Sequence, residues 1–279
     1  MYTLKKCLPL ITISVLSLGG CGGSGSFTQQ TTVFGVTIKA TAATPTEKVL
    51  HAANILAEYL DNNEDGIADN PAVTERLKSK KATLLMAKNA ADMPKSAYLT
   101  HGDSGQDLYA EETHINGAAQ GKFDASLEEI LHLITHVGYA GVYPGVFGEE
   151  TGSAIADAMD TARGGRFTSI PKPYPTNAWY TYGDSSCNYS CMVTEYTYWA
   201  LTSILGAQDF SGRLESIQQE WKLNTSEKVM NQDTAAYTIL TDAQYALATN
   251  LPDGKYAAGT FEIINTTPSV ATLSTKSSK

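Results

Sequence analysis

The sequence predicts an α+β fold: one helix-rich domain over residues 32–265 with a small mixed sheet. Two patterns carry that expectation. In residues 126–141, SLEEILHLITHVGYAG, Leu127, Ile130, Leu131, Ile134 and Val137 recur at steps of three and four, the buried stripe of an amphipathic helix. Residues 33–41 (VFGVTIKAT) and 82–88 (ATLLMAK) are short runs of strand length and composition. The chain's 279 residues are enough for a single large core.

The first twenty residues stand apart from that domain. Lys5 and Lys6 precede an apolar run from Cys7 to Leu18, too short to span a membrane comfortably and suited to a secretory signal. Leu18-Gly19-Gly20-Cys21 resembles a bacterial lipobox, which implies cleavage before Cys21 and lipidation of that cysteine. Gly22 rather than aspartate follows it, and the same resemblance then implies sorting to the outer membrane. The expected product is a secreted protein held at a membrane or cell surface by its N-terminal lipid, with residues 21–31 as a flexible tether. Removing residues 1–20 takes two lysines and no acids, leaving 18 basic against 29 acidic residues, a balance of −11. Such a surface argues against nucleic-acid binding and suits a protein that meets cations.

Residues 33–41 read as the first strand. Thr44-Pro45-Thr46-Glu47 then follows the capping-box pattern. The helix it opens carries Val49, Ala52, Ala53, Leu56 and Leu60 on one face; His51 falls off that face and is expected at the surface. Asp61 to Asp69, written DNNEDGIAD, comes next. It resembles the first nine positions of an EF-hand or dockerin calcium loop, within a loop spanning 61–72. Calcium takes about six to eight oxygens. The resemblance assigns side chains of Asp61, Asn63, Asp65 and Asp69 and the Ile67 carbonyl as its ligands, with Gly66 making the turn. Ala72 stands where the family has its bidentate acid, which implies weaker affinity, and Glu75 is the nearest substitute. Asn70-Pro71 reads as the cap and first residue of the exit helix.

Residues 106–115 form a further candidate strand, placed at an edge by its charges, and His101 and His114 read as loop or solvent-facing residues. After the central helix, residues 150–161 and 192–205 predict two more helices, and 216–221 and 226–245 two further helical segments. Cys187 and Cys191, the two cysteines left after Cys7 and Cys21, are expected to form a short-loop disulfide in an oxidising compartment. Residues 266–279, rich in Ser and Thr, read as a tail.

Chemistry concentrates on the central helix. His132 and His136, two of the chain's five histidines, lie four apart, so both fall on one helical face, and Glu128 and Glu129 precede them by a turn. Imidazoles at that spacing are how a helix offers two nitrogens to one metal ion. The stretch resembles the HExxH helix of zincin metallopeptidases in two frames. With His132 and His136 as the pair, Leu133 occupies the place of the catalytic glutamate. With Glu128-Glu129-Ile130-Leu131-His132 as the motif, Glu128 replaces the first histidine and Glu129 keeps the place of the base. The gluzincin resemblance further implies a third ligand from a later helix, Glu195, a lone acid in an apolar aromatic segment. It thereby implies a zincin-like arrangement with zinc held by His132, His136, Glu195 or Glu128, and Glu129 as general base. Against this, Ser126-Leu127-Glu128-Glu129 also fits a capping box. Two functions stay open: a calcium-binding, zinc-dependent hydrolase acting on a peptide or protein, and a non-enzymatic calcium-binding surface lipoprotein whose histidines and acids form a structural network.

Overall fold

The computed structural model describes residues 26–97 and 102–266; the signal segment, Cys21 and His101 lie outside them. Among the described residues, strands run in the order β4-β3-β2-β1-β5 across one mixed sheet. β1 (Phe27–Val33) and β2 (Val36–Thr41) form an antiparallel hairpin, β3 (Thr83–Ala87) and β4 (Gly105–Tyr109) continue in parallel, and β5 (Ile264–Asn265) pairs antiparallel with β1. With the helices described below, the fold is α+β, as the sequence implies.

The expected strand at 33–41 is therefore corrected to the second half of a hairpin. Phe34 and Gly35, both at positive φ, make its two-residue turn. The expected tether is corrected too, because Phe27–Val33 is strand rather than linker. At the other end Thr266 N donates to Thr28 O at 2.7 Å, extending β5's contact with β1. The rest of the expected tail, 267–279, lies outside the described residues.

β3 is buried along its whole length because both faces of the sheet are covered. Leu84 and Met86 face the main core, whereas Leu85 and Ala87 join Met93, Ala97 and Tyr109 in a smaller cluster behind it. The crossover from β2 to β3 contains α1 (Thr46–Leu60) and α2 (Pro71–Ser79). Asn70 caps α2 by accepting from Val73 N at 3.2 Å, with Pro71 at the first helical position.

The central helix is not continuous. α3 covers Ser126–Leu133; Ile134–Tyr139 then winds as a π-helix, and Ala140–Val142 returns to α geometry. This segment packs closely against α2. A Cβ on Gly138 would lie 2.8 Å from Val73 Cγ1, and one on Gly141 would lie 2.5 Å from Arg76 Nε. Arg76 Nε also donates to the Val137 carbonyl at 3.4 Å. The expected capping box is corrected as well. Asp124, not Glu129, accepts the Ser126 N–H (3.2 Å), and the buried Ser126 hydroxyl makes no hydrogen bond.

α4 (Ala154–Ala162) is capped by Ser153, and α5 (Tyr189–Ile204) by Asn188. α5 runs through the core, with Tyr196, Tyr198 and Trp199 buried among its neighbours. Cys187 and Cys191 are disulfide-bonded at its start, as expected. α6 (Arg213–Ile217), α7 (Ser226–Gln232) and α8 (Thr234–Leu240) follow. The single segment expected over 226–245 is split at Asp233. Its carboxylate caps α8 at Ala236 N (3.3 Å) while accepting Trp179 Nε1 (2.8 Å) and Tyr196 OH (2.7 Å). Among the described residues no helix is long and apolar enough to cross a membrane.

Candidate metal centre

α3 and α5 pack side by side, and their contact brings three ligand-bearing side chains together. Glu128 and His132, four apart on α3, share one face. Glu195 reaches them from the middle of α5. Single ligand atoms of the three lie within 4.8 Å of one another, the one such group of three or more His, Cys, Asp or Glu found among the described residues. All are nearly sealed from solvent: Glu128 is 8 % exposed, His132 2 % and Glu195 2 %.

His132 is the most informative member. Both ring nitrogens are buried without a hydrogen-bond partner. Nε2 stands 3.6 Å from Glu195 Oε2, and Nδ1 stands 3.4 Å from Glu129 Oε2, both beyond ordinary hydrogen-bond length. The Tyr198 ring packs against the imidazole in a T-shaped arrangement, with centroids 5.4 Å apart. Glu195 is fixed by Tyr182, whose hydroxyl donates to Oε1 at 3.1 Å. Glu129 is fixed from the sheet edge, where Gln106 of β4 donates Nε2–H to Oε2 at 2.6 Å.

The electrostatics match a cation not supplied by side chains. Burial, then the charges of Glu129 and Glu195, pushes the Glu128 carboxyl well above the usual carboxylate range; His132 and Arg213 pull the other way. Burial likewise pushes Glu129 well up, with Asp107, Glu112 and Glu195 adding to it and the Gln106 bond opposing. Carboxylates crowded in low dielectric are costly unless a positive charge joins them. Two carboxylates and an imidazole with unpaired nitrogens are a donor set for a divalent metal ion, which binds nitrogen and oxygen at about 2.0–2.2 Å once the side chains close on it. The residues fit a metal.

His136, expected beside His132, is not in this group. Its Nδ1 bonds Glu149 Oε2 at 2.6 Å, and its side chain is 40 % exposed. Glu149 also accepts Ser190 Oγ and Thr194 Oγ1, each at 2.6 Å. Sequence reasoning missed Glu149; its only signal was an acid in the connection following the helix. Of the candidate ligands on this helix, Glu128 and His132 are the two that come together with Glu195.

The 61–72 loop keeps its shape through its own backbone. Asp61, fully buried, accepts Gly66 N at 2.8 Å and Asp65 N at 3.2 Å; Asp65 accepts Ile67 N at 2.9 Å, and Asp69 accepts Asn62 N at 2.7 Å. Asn63 accepts Asp65 N at 2.9 Å, and Gly66 sits at φ +87° as the turn requires. Glu75 is instead paired with Lys78 at 3.5 Å on the surface of α2. Residues near the C-terminus cover this loop and α1: Tyr256 OH donates to Asp61, and the Glu58 carboxylate accepts N–H groups from Asp253, Gly254 and Lys255. That cover overturns the surface placement of His51, which is buried and bonded to Asp124 at 2.6 Å.

Compared with protein-family models, with curated proteins and with solved structures, the chain matches none.

Proposed function

We propose that this chain is a zinc-dependent hydrolase of peptides or proteins, secreted and anchored by a lipid on Cys21, with a calcium ion stabilising its 61–72 loop. One observation carries the hydrolase proposal: a sealed histidine with two unpaired nitrogens, surrounded by carboxylates and backed by Glu129. Glu128, His132 and Glu195 would hold the zinc. When bound, the ion would polarise a substrate carbonyl and acidify a water. Glu129 then takes the water's proton. Burial holds its carboxyl well above the usual carboxylate range, which makes it a stronger base than a solvated glutamate, and Gln106 holds it in place.

Calcium at the loop is supported by the spacing of Asp61, Asn63, Asp65 and Asp69 around Gly66, with the Ile67 carbonyl completing the set. Asp69 is pushed up by burial and by Asp61 and Asp65, against the bond from Asn62; a cation would relieve that crowding.

A second function, a calcium-binding surface lipoprotein with a closed structural metal site, is favoured by the burial of all three ligands. Two surface hollows beside β1, around Thr28 and Thr44 and around Phe27 and Pro94, share no residue with them. Glu129→Gln separates the two. In the hydrolase, zinc content by elemental analysis stays at the wild-type level and cleavage of a peptide library falls about 10²–10⁴-fold. In the structural protein, zinc is retained and neither variant nor wild type cleaves. Calcium is tested by melting the protein in millimolar calcium and in chelator. A melting temperature raised by calcium supports the loop site, and equal values remove it.

A further inference from the structure

We infer that His136 is the proton donor of this centre, aimed by Glu149, and is not one of its metal ligands; this rests on the hydrolase proposal above. The geometry is unusually constrained for a partly exposed histidine. Glu149 lies after the short helix Pro144–Phe147, and three hydrogen bonds converge on its carboxylate, from His136 Nδ1, Ser190 Oγ and Thr194 Oγ1, each at 2.6 Å. Ser190 and Thr194 belong to α5, so the carboxylate is clamped to the helix that carries Glu195, one residue past Thr194. With its side chain only 10 % exposed, Glu149 holds Nδ1 of a histidine that is itself 40 % exposed.

A carboxylate on Nδ1 fixes the ring's tautomer and orientation and leaves Nε2 as the working nitrogen. His136 also lies in the π-helical turn 134–139, an irregularity found frequently at functional sites. Charged groups reach it from several elements. Glu149 and Asp103 favour its protonated form, while His132 opposes it; Arg76 of α2 meets the same turn at the Val137 carbonyl. The Glu149 bond outweighs burial and holds the imidazole above its ordinary range. Burial pushes Glu149 up, but the bonds from His136, Ser190 and Thr194 prevail and hold it down. Both shifts favour an imidazolium–carboxylate pair, one helical turn from His132.

Amide hydrolysis needs such a donor. Water oxygen adds to the carbonyl carbon as Glu129 takes its proton. The C–N bond then breaks, its electron pair stays on nitrogen, and that nitrogen takes the proton from His136 Nε2. Solvent carries the proton held by Glu129 back to His136, so amide plus water gives acid plus amine with both groups restored.

The test uses full-length protein with zinc alone as the probe, and histidine NMR as the readout. In the zinc-loaded wild type, His136 is expected to titrate with its midpoint above the usual histidine value of about 6.5. Glu149→Gln should lower that midpoint, with the melting temperature as the check on folding. His136→Gln should keep its zinc, lose cleavage about 10²-fold or more, and lose the alkaline limb of the pH–rate profile. A His136 that stops titrating when zinc is added, or a His136→Gln variant that loses zinc, makes it a ligand and overturns the proposal. A variant that cleaves at the wild-type rate overturns the donor role alone. Zinc-loaded wild type that cleaves nothing removes the hydrolase proposal and the donor role with it.

Discussion

His132→Ala is expected to abolish tight zinc binding, the largest single effect open to one substitution in this chain. Apparent binding free energies of small zinc sites are about 10–16 kcal/mol. Shared among three protein ligands, that is several kcal/mol each, so losing one weakens affinity by roughly three orders of magnitude. Glu195→Gln should act similarly from another helix, since it keeps size and hydrogen bonding to Tyr182 while removing the anionic oxygen. Glu128→Gln belongs with them. Competition against a chelator of known affinity measures all three, and His136→Gln serves as the contrast that keeps its metal. His132→Ala protein that still holds one zinc at wild-type affinity would falsify the assignment. So would wild-type protein, purified without chelator, that takes up no transition metal.

What the sequence disclosed is what short-range chemistry determines. Asn70-Pro71 starts α2 because cap and proline act within one turn. The disulfide joins Cys187 and Cys191 across a separation of four residues. Glu195 was legible because a lone acid in an apolar helix must find a partner. Long-range contacts decide what was not legible. The π turn lies where Gly138 and Gly141 meet α2, a contact that no pattern inside residues 126–141 records. Because Glu149 captures His136, the histidine pair that periodicity offers to one ion is divided between two networks. His51 is buried by a segment about two hundred residues away, near Gly254, where an added Cβ would lie 2.2 Å from its Nδ1. At Asp233 one helix ends and the next starts, and its carboxylate is bonded by Trp179 and Tyr196, neither a neighbour in sequence. In each case the local propensity was real and a tertiary contact overrode it.

Metal-free protein should lose stability as pH rises from about 4.5 toward 8, the reverse of an acid-sensitive protein. The sign follows from the direction of the shifts. A carboxyl raised in the folded chain keeps its proton at pH values where the unfolded chain has released it. Between the two pKa values the folded state therefore holds more protons, and stability falls as pH climbs through that window. Glu128 and Glu129 are both raised this way, chiefly by burial. Glu220 joins them, raised from 4.5 to about 7 by burial and then by the charge of Glu195. That last shift alone is worth up to roughly 3 kcal/mol across the window, or on the order of 5–10 °C in melting temperature for a domain of this size. His136, raised by Glu149, adds a loss in the same direction above its ordinary range. Glu149 is lowered, so its contribution fades only below the usual carboxylate range and leaves this window untouched. Zinc changes the balance because the ion prefers the deprotonated carboxylates. Its stabilisation should be larger at pH 8 than at pH 5, and the decline seen in chelator should flatten or reverse in zinc. Melting curves at pH 5, 6, 7 and 8, in chelator and in zinc, measure both slopes. A melting temperature in chelator that climbs between pH 5 and 8 would show that Glu128 and Glu129 stay ionised when buried. A zinc-induced shift of equal size at every pH would place the ion away from these carboxylates.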